Sequence, residues 1–282
     1  MSFTVLELLQ RTTDYLEKKE VLQPRASSEV LLALTLGCGR LDLYVRFSDV
    51  VQEEKVNSFR GLVQRRAKGE PVAYITGHRE FWSLDFEVGP GVLIPRPETE
   101  LIIEQVKSIF KNDDEFSCFE LGVGSGALSI ALAREFPKVW FVASDISAKA
   151  LSYAKKNAEK HGVSLDLREG CALEVLGEND KFHVVVSNPP YVSETSFQDL
   201  PLEIKNFEPE EALKGKGDGL DLHRTILSGI KPYLYAGATV LLELDPRQSQ
   251  VLLSEASELK DAEAYLIDDY SHRPRVLKVV YG

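Results

Sequence analysis

Over about the first seventy residues, apolar positions recur every three or four places, the spacing of one helix face. Leu8, Leu9 and Leu16 form such a stripe behind Thr4 and Glu7, which have the spacing of a capping box. "SSEVLLALTLG" carries a serine cap at one end and Gly37 at the other. A third stripe starts at Ser48, repeats Val56, Phe59, Leu62 and Val63, and stops at Gly69. From Ala73 to Pro95 the rhythm shortens to "YITGHREFWSLDFEVGPGVLIP", punctuated by Gly77, Gly89 and Gly91, which predicts a β-hairpin linker. "PRPETELIIEQVKSIF" then opens a helix, with Pro97 at its first position and Glu98 and Glu100 at its positive end.

Beyond residue 115, short apolar runs alternate with helical stripes. Strands are predicted at 117–121, 140–145, 165–169, 182–187, 238–244, 263–268 and 275–281. Helices fall at 97–111, 126–135, 147–161, 220–234 and 246–258. This alternation predicts an α/β, Rossmann-like fold whose seven-stranded, mostly parallel sheet is covered on both faces. The last two strands are separated by six residues, too few for a crossover, so they pair as a hairpin and one strand runs antiparallel. The predicted domains are 1–72, a small helical unit for partner docking; 73–95, the hairpin linker; and 96–282, the α/β body.

Composition narrows the classes. The formal charge of −11 argues against a large electrostatic grip on a nucleic-acid backbone. Residues 1–75 carry a net +1 and the remainder −12, so a mildly basic front module is the expected partner-facing part, with a solvated bundle as the plain alternative. Cys38, Cys118 and Cys171 have neither disulfide nor zinc spacing and are read as reduced packing residues. No apolar run approaches the roughly 18 residues that span a bilayer. The amphipathic, acid-containing N-terminus lacks a signal-peptide pattern, so a cytoplasmic location is expected. The five histidines show no metal spacing, and no metal is expected.

"CFELGVGSGALSIALA" places Gly122, Val123, Gly124, Ser125 and Gly126 between a strand and a helix. Glycines let a ligand approach the backbone closely. The spacing is G-x-G-x-G rather than the dinucleotide G-x-G-x-x-G, which leans away from a pyrophosphate ligand. Asp145 ends the next strand, where a carboxylate can accept both hydroxyls of a ribose; a helix cap is the alternative. Loop and acid together point to an adenosine-type ligand, its base beside Gly170-Cys171-Ala172, with Ala172 supplying backbone or packing contacts.

"VVVSNPPYVS" ends the fourth strand with Asn188 followed by Pro189, Pro190 and Tyr191. A proline cannot donate to a sheet ladder, so the strand stops there. In a doubly wound sheet this strand lies beside the first, and Asn188 faces the glycine loop across one crevice. A conjugated –NH2 is a poor nucleophile, because its lone pair is delocalised. The Asn188 side-chain oxygen and the Pro189 carbonyl can each accept one of its hydrogens and aim the nitrogen at an electrophile. Tyr191 can stack on the planar group. A plain strand-ending turn is the competing reading of the tetrapeptide alone.

A G-x-G-x-G loop followed by Asn-Pro-Pro-Tyr resembles the amino methyltransferases that use S-adenosylmethionine. "EPVAYITGHREFWSLDFEVGPGVLIPRPETE", "FEPEEALKGKGDGLDLHR" and "PRASSEVLLALTLG" resemble the HemK/PrmC family of protein-glutamine N5-methyltransferases over nearly the whole chain. The resemblance implies S-adenosyl-L-methionine as cofactor and S-adenosyl-L-homocysteine as product, held by Gly122 to Gly126, Asp145, Ala172 and Asn188. It implies that Asn188, Pro189, Pro190 and Tyr191 hold the glutamine of a Gly-Gly-Gln loop in peptide-chain release factors, with no nucleic-acid substrate and no membrane. Asp245 stands where the family has Gly, His272-Arg273 where it has Gly-Arg, and the third strand lacks the usual acid. The rival readings are a DNA amino methyltransferase acting on a flipped base, a nicotinamide oxidoreductase, and a non-catalytic binding module. Arg96 and Thr99 line the crevice by the same likeness, but "PRPETE" also reads as a helix start, and both stay outside the expected catalytic set. Tyr74, Phe81, Trp82 and Phe86 are expected in the core of the hairpin. Arg65, Arg66 and Lys68 are expected as cations at a helix end, with a partner contact as the alternative.

Overall fold

The computed structural model describes residues 3–282. Two compact units divide the chain: Met1–His78 with Pro201–Phe207, and Arg79–Leu200 with Glu208–Gly282.

The first unit contains β1 (Phe3–Thr4), α1 (Val5–Glu17), α2 (Pro24–Leu36), α3 (Asp42–Val45), β2 (Val50–Val51), α4 (Glu53–Ala67) and α5 (Val72–Thr76). The capping box is formed: Glu7 N donates to Thr4 Oγ1 at 3.3 Å, and Thr4 N to Glu7 Oε2 at 2.8 Å. Leu9, Leu16, Leu31, Leu32 and Phe59 fill the core. Three sequence expectations give way here. The helix expected from Ser48 begins at Glu53, because Val50 and Val51 pair antiparallel with β1. α2 starts earlier than its serines, at Pro24, which needs no N–H at a first helical position; Ser28 instead donates from inside the helix to the Pro24 carbonyl at 2.9 Å. Residues 72–76 are helical rather than extended, closed by Gly77 at φ 78°.

Arg66 is a buried tie rather than a solvated cation at a helix end. It donates to Ser27 Oγ (3.2 Å), the Glu70 carbonyl (3.0 Å) and the Leu22 carbonyl (3.0 Å), and pairs with Glu203 at 2.6 Å. Glu203 lies on a short helix, Leu202–Phe207, that arrives from far along the chain and belongs to this unit.

The second unit continues the numbering with β3 (His78–Phe81) and β4 (Leu84–Glu87), which form the expected hairpin, followed by α6 (Glu100–Ile109) and β5 (Ser117–Leu121). Then come α7 (Ala127–Glu135), β6 (Trp140–Asp145), α8 (Ala148–His161), β7 (Asp166–Glu169), β8 (Phe182–Ser187) and α9 (Glu194–Phe197). With Leu202–Phe207 counted as α10, the chain closes with α11 (Asp221–Gly229), β9 (Leu234–Glu243), α12 (Ser249–Ser257), β10 (Ala262–Asp268) and β11 (Pro274–Tyr281). The sheet order is β10-β11-β9-β8-β5-β6-β7. β5 to β9 run parallel, and β11 is antiparallel to both of its neighbours. Phe119, Val185, Val240, Leu242 and Leu277 are fully buried, as continuous apolar runs in a parallel sheet require. The helix expected at 220–234 stops at Gly229, and Lys231–Tyr233 tightens to a 3-10 turn, because Pro232 cannot extend the hydrogen-bond ladder.

Arg66→Leu strips the guanidinium from three hydrogen-bond acceptors and an ion pair. We expect it to cost the first unit about 1–3 kcal/mol, measured as faster hydrogen exchange in α2 and α4 with β5 and β8 unaffected. Unchanged protection of α2 and α4 would show that these bonds contribute nothing.

Candidate active site

Reversal of strand order at β5 opens a crevice at the carboxyl ends of β5, β6, β8 and β9. The register pairs Leu121 with Ser187 and Ser187 with Leu242. Gly122, Asn188 and Glu243 are therefore the next residues on three neighbouring strands. A cavity of about 740 Å³ opens there, within the range of roughly 300–1,000 Å³ usual for small-molecule sites.

Gly122, Val123, Gly124, Ser125, Asp145, Ala172, Asn188 and Pro190 all line this cavity. Gly122 (φ 79°) and Gly124 (φ 54°) take the left-handed backbone that favours glycine; a Cβ on Gly122 would meet no atom within 4 Å. Gly126 serves a different purpose. A Cβ there would sit 2.8 Å from Ile130 Cδ1 and 3.2 Å from Ala154 Cα, so this glycine lets α7 and α8 pack and does not line the cavity. Pro189 is buried, Tyr191 is half-buried, and neither lines the cavity. Cys171 is exposed on its wall instead of packed inside.

Ser147 caps α8, its hydroxyl accepting from Ala150 N at 3.2 Å, and Asp145 holds the loop. Its Oδ2 accepts from Gly124 N and its Oδ1 from Ser147 N, both at 2.9 Å. Burial raises its pKa, and these N–H donors oppose the rise. Glu120, one residue before the end of β5, is a second cavity-lining acid. Burial pushes its pKa up to about 8, against the hydrogen bond donated by the Ser129 hydroxyl.

Sequence reasoning missed a buried hydrogen-bonded cluster behind Asn188. Asn188 Nδ2 donates to Thr99 Oγ1 (3.0 Å), and Thr99 Oγ1 donates to Glu243 Oε2 (2.6 Å). The Tyr191 hydroxyl donates to Glu243 Oε1 at 3.1 Å. Burial and the Glu243 carboxylate push the tyrosine pKa far up. Gln248 Nε2 donates to the Tyr191 carbonyl at 3.0 Å. Arg96 also lines the cavity, paired at 2.6 Å with Glu208, whose other oxygen accepts from Ile94 N at 3.0 Å. Thr99, Asn188 and Tyr191 were each visible in motifs, and Glu243 as an acid at the carboxyl end of a predicted strand, but no sequence signal joined them into this cluster.

The open sheet, its antiparallel last strand and the glycine loop opposite a strand-end acid define a Rossmann-like methyltransferase. Residues 7–77 match the PrmC N-terminal domain, and residues 97–207 the methyltransferase small domain. The release factor glutamine methyltransferase of Geobacter sulfurreducens is 38% identical over 275 residues, covering 98% of this chain and 96% of that protein. Its counterpart in Rhodopirellula baltica is 37% identical over 286 residues, with 98% and 96% covered. A methyltransferase from Pyrococcus furiosus shares the fold at TM-score 0.53 and 20% identity, covering 71% of this chain and 89% of that one. The chain belongs to the release factor glutamine methyltransferase family. Among the described residues, no helix is long and apolar enough to cross a membrane.

The Glu120 shift has a sign that can be checked. With its pKa raised from 4.5 to about 8, the folded state binds more protons than the unfolded state between those values, so stability falls as pH rises through that window. Glu120→Gln should flatten this slope when urea midpoints at about pH 5 and about pH 8 are compared with those of the parent. Identical slopes in the two proteins would refute the burial argument.

Proposed function

We propose that the protein transfers a methyl group from S-adenosyl-L-methionine to the side-chain N5 of a glutamine in a peptide-chain release factor, the Gly-Gly-Gln glutamine that the family resemblance implies. The observation that carries this reading is the bond from Asn188 Nδ2 to Thr99, which leaves Asn188 Oδ1 as an acceptor on the cavity wall.

The cavity residues fit the cofactor. Gly122 and Gly124 leave the backbone uncovered, Asp145 keeps lone pairs for a ribose diol, and Glu120, held neutral by burial, gains its charge when a cationic ligand binds beside it. When bound, S-adenosylmethionine supplies an electrophilic methyl group. Every remaining requirement falls on the protein. Asn188 Oδ1 accepts one N–H of the incoming carboxamide and orients its nitrogen; the Pro189 carbonyl is the second acceptor that the motif implies, although Pro189 is buried and stands off the cavity wall. They also stabilise the positive charge that develops there. The nitrogen becomes acidic as that charge builds, and the surplus proton leaves to water. Pro189 and Pro190 hold the corner rigid, and Tyr191, anchored through its hydroxyl to Glu243, braces it from behind the cavity wall.

The helical first unit is proposed to dock the release factor, and a cytoplasmic location accords with that substrate. Labelled cofactor incubated with purified release factor should yield one methylated glutamine by peptide mass mapping, and duplex DNA should stay unlabelled. Labelled DNA with unmodified release factor would reverse the assignment. Asn188→Ala should lower kcat by about 10²–10³-fold with cofactor affinity nearly unchanged. Asp145→Ala should mainly weaken cofactor binding, by about tenfold or more, as read by calorimetry.

A further inference from the structure

Asn188 is held in one orientation by groups outside its own motif. Glu243 is 1% exposed and Thr99 6% exposed, so water does not satisfy either side chain. Both Glu243 oxygens act as acceptors, one for the Thr99 hydroxyl and one for the Tyr191 hydroxyl. A hydroxyl has a single proton. Once Thr99 gives that proton to Glu243, its oxygen can only accept, and the partner it accepts from is the Asn188 amide nitrogen.

We propose that Glu243, acting through Thr99, is a positioning residue that sets the polarity of the Asn188 carboxamide and makes its Oδ1 an obligate acceptor. The site then takes a substrate –NH2, which can donate to Oδ1, and rejects a carboxylate, which brings only lone pairs. The inference rests on the amide-methylation reading and assigns the origin of its selectivity. Turning the Asn188 amide over would set Oδ1 against a Thr99 oxygen whose proton is already committed. Two acceptors would face each other in a buried space.

The arrangement depends on Glu243 being ionised. Its surroundings comprise the Thr99 and Tyr191 hydroxyls, Arg275, which favours the charge, and Glu98, which opposes it. Arg96 faces Tyr191, and His223 Nε2 donates to the Glu243 backbone carbonyl at 2.8 Å. Burial raises the Glu243 pKa. A proton added to Glu243 can be donated to Thr99, which then turns its own proton toward Asn188 and inverts the amide. Activity is lost as pH falls through the Glu243 pKa.

The test combines kinetics on release factor with NMR of asparagine-selective 15N-labelled protein. Thr99→Val and Glu243→Gln should each lose about 10²-fold in kcat, with KM for release factor and cofactor affinity within about threefold of the parent. Thr99→Ser, which keeps the hydroxyl, should retain most activity. The acid limb of kcat should be present in the parent and absent in Thr99→Val. One Asn188 side-chain amide proton should exchange slowly in the parent and shift as acid is added. Parent-like kcat in Thr99→Val, a Thr99→Ser variant as slow as the valine, or an Asn188 amide exchanging like an exposed one would each overturn the proposal. If the parent leaves release factor unmodified, the functional reading fails, while the NMR arm, which needs no substrate and no variant that folds poorly, still decides the orientation.

Discussion

One buried negative charge organises the catalytic corner. Glu243 stands at the end of β9 in the centre of the sheet, where an unpaired carboxylate would cost several kcal/mol. Its demand for donors is met by Thr99 from the turn before α6 and by Tyr191 from the segment after β8. Those two bonds, with the one from Asn188 to Thr99, fix Asn188 and Tyr191 at the corner. The positions of Asn188 and Tyr191 thus follow from satisfying a charge that does not itself line the cavity. Removing either partner leaves the carboxylate short of a donor and the corner without its reference point.

The opposite side of the crevice follows a related logic with a different outcome. Asp145 sits at the end of β6 and accepts from the backbone N–H groups of Gly124 and Ser147, so the carboxylate proposed to bind a ribose also holds the glycine loop. Glu120 lies deeper, and the hydroxyl and backbone N–H of Ser129 do not offset its burial. Two acids about one strand apart are thereby tuned in different degrees, by the number of donors that each backbone segment can spare.

Much of this architecture was legible in the chain. The strands at 117–121, 140–145 and 182–187 match the prediction residue for residue, because each is an apolar run closed by glycine, aspartate or proline. The seven-stranded sheet with its antiparallel partner followed from one short connection. The failures have physical causes. Residues 72–76 have strand-like composition but form a helical turn, since Pro71 at its N-cap and Gly77 at its end suit that turn. Arg66 looked like a helix-end cation because, apart from the Glu70 carbonyl four residues on, its partners are the distant Leu22 carbonyl, Ser27 and Glu203, none of which has a local pattern. The Thr99–Glu243 bond joins residues 144 apart in sequence, and no periodicity records such a contact. Thr99 was visible as part of a motif, but its role depends on a partner that only the fold supplies.

The choice of asparagine at position 188 follows from the same network. The position must give one hydrogen bond to the Thr99 oxygen and receive one from the crevice, in fixed directions. Aspartate accepts at both ends, would meet a Thr99 oxygen with no proton to offer, and would add a second charge near Glu243. Serine can donate inward, but its single oxygen stops short of presenting a separate acceptor at a set angle. A carboxamide has both functions on one plane. The chain on either side keeps that plane still: Ser187 donates to the Leu121 carbonyl at 2.7 Å before the corner, and Val192 donates to the Leu213 carbonyl at 2.9 Å after it. Gln248 secures the Tyr191 carbonyl between them. Two prolines remove the intervening N–H groups that would otherwise need partners. Anchored at both ends and polarised from behind, the carboxamide meets its substrate with little left to reorganise, which is the condition under which weak neutral hydrogen bonds can contribute to rate.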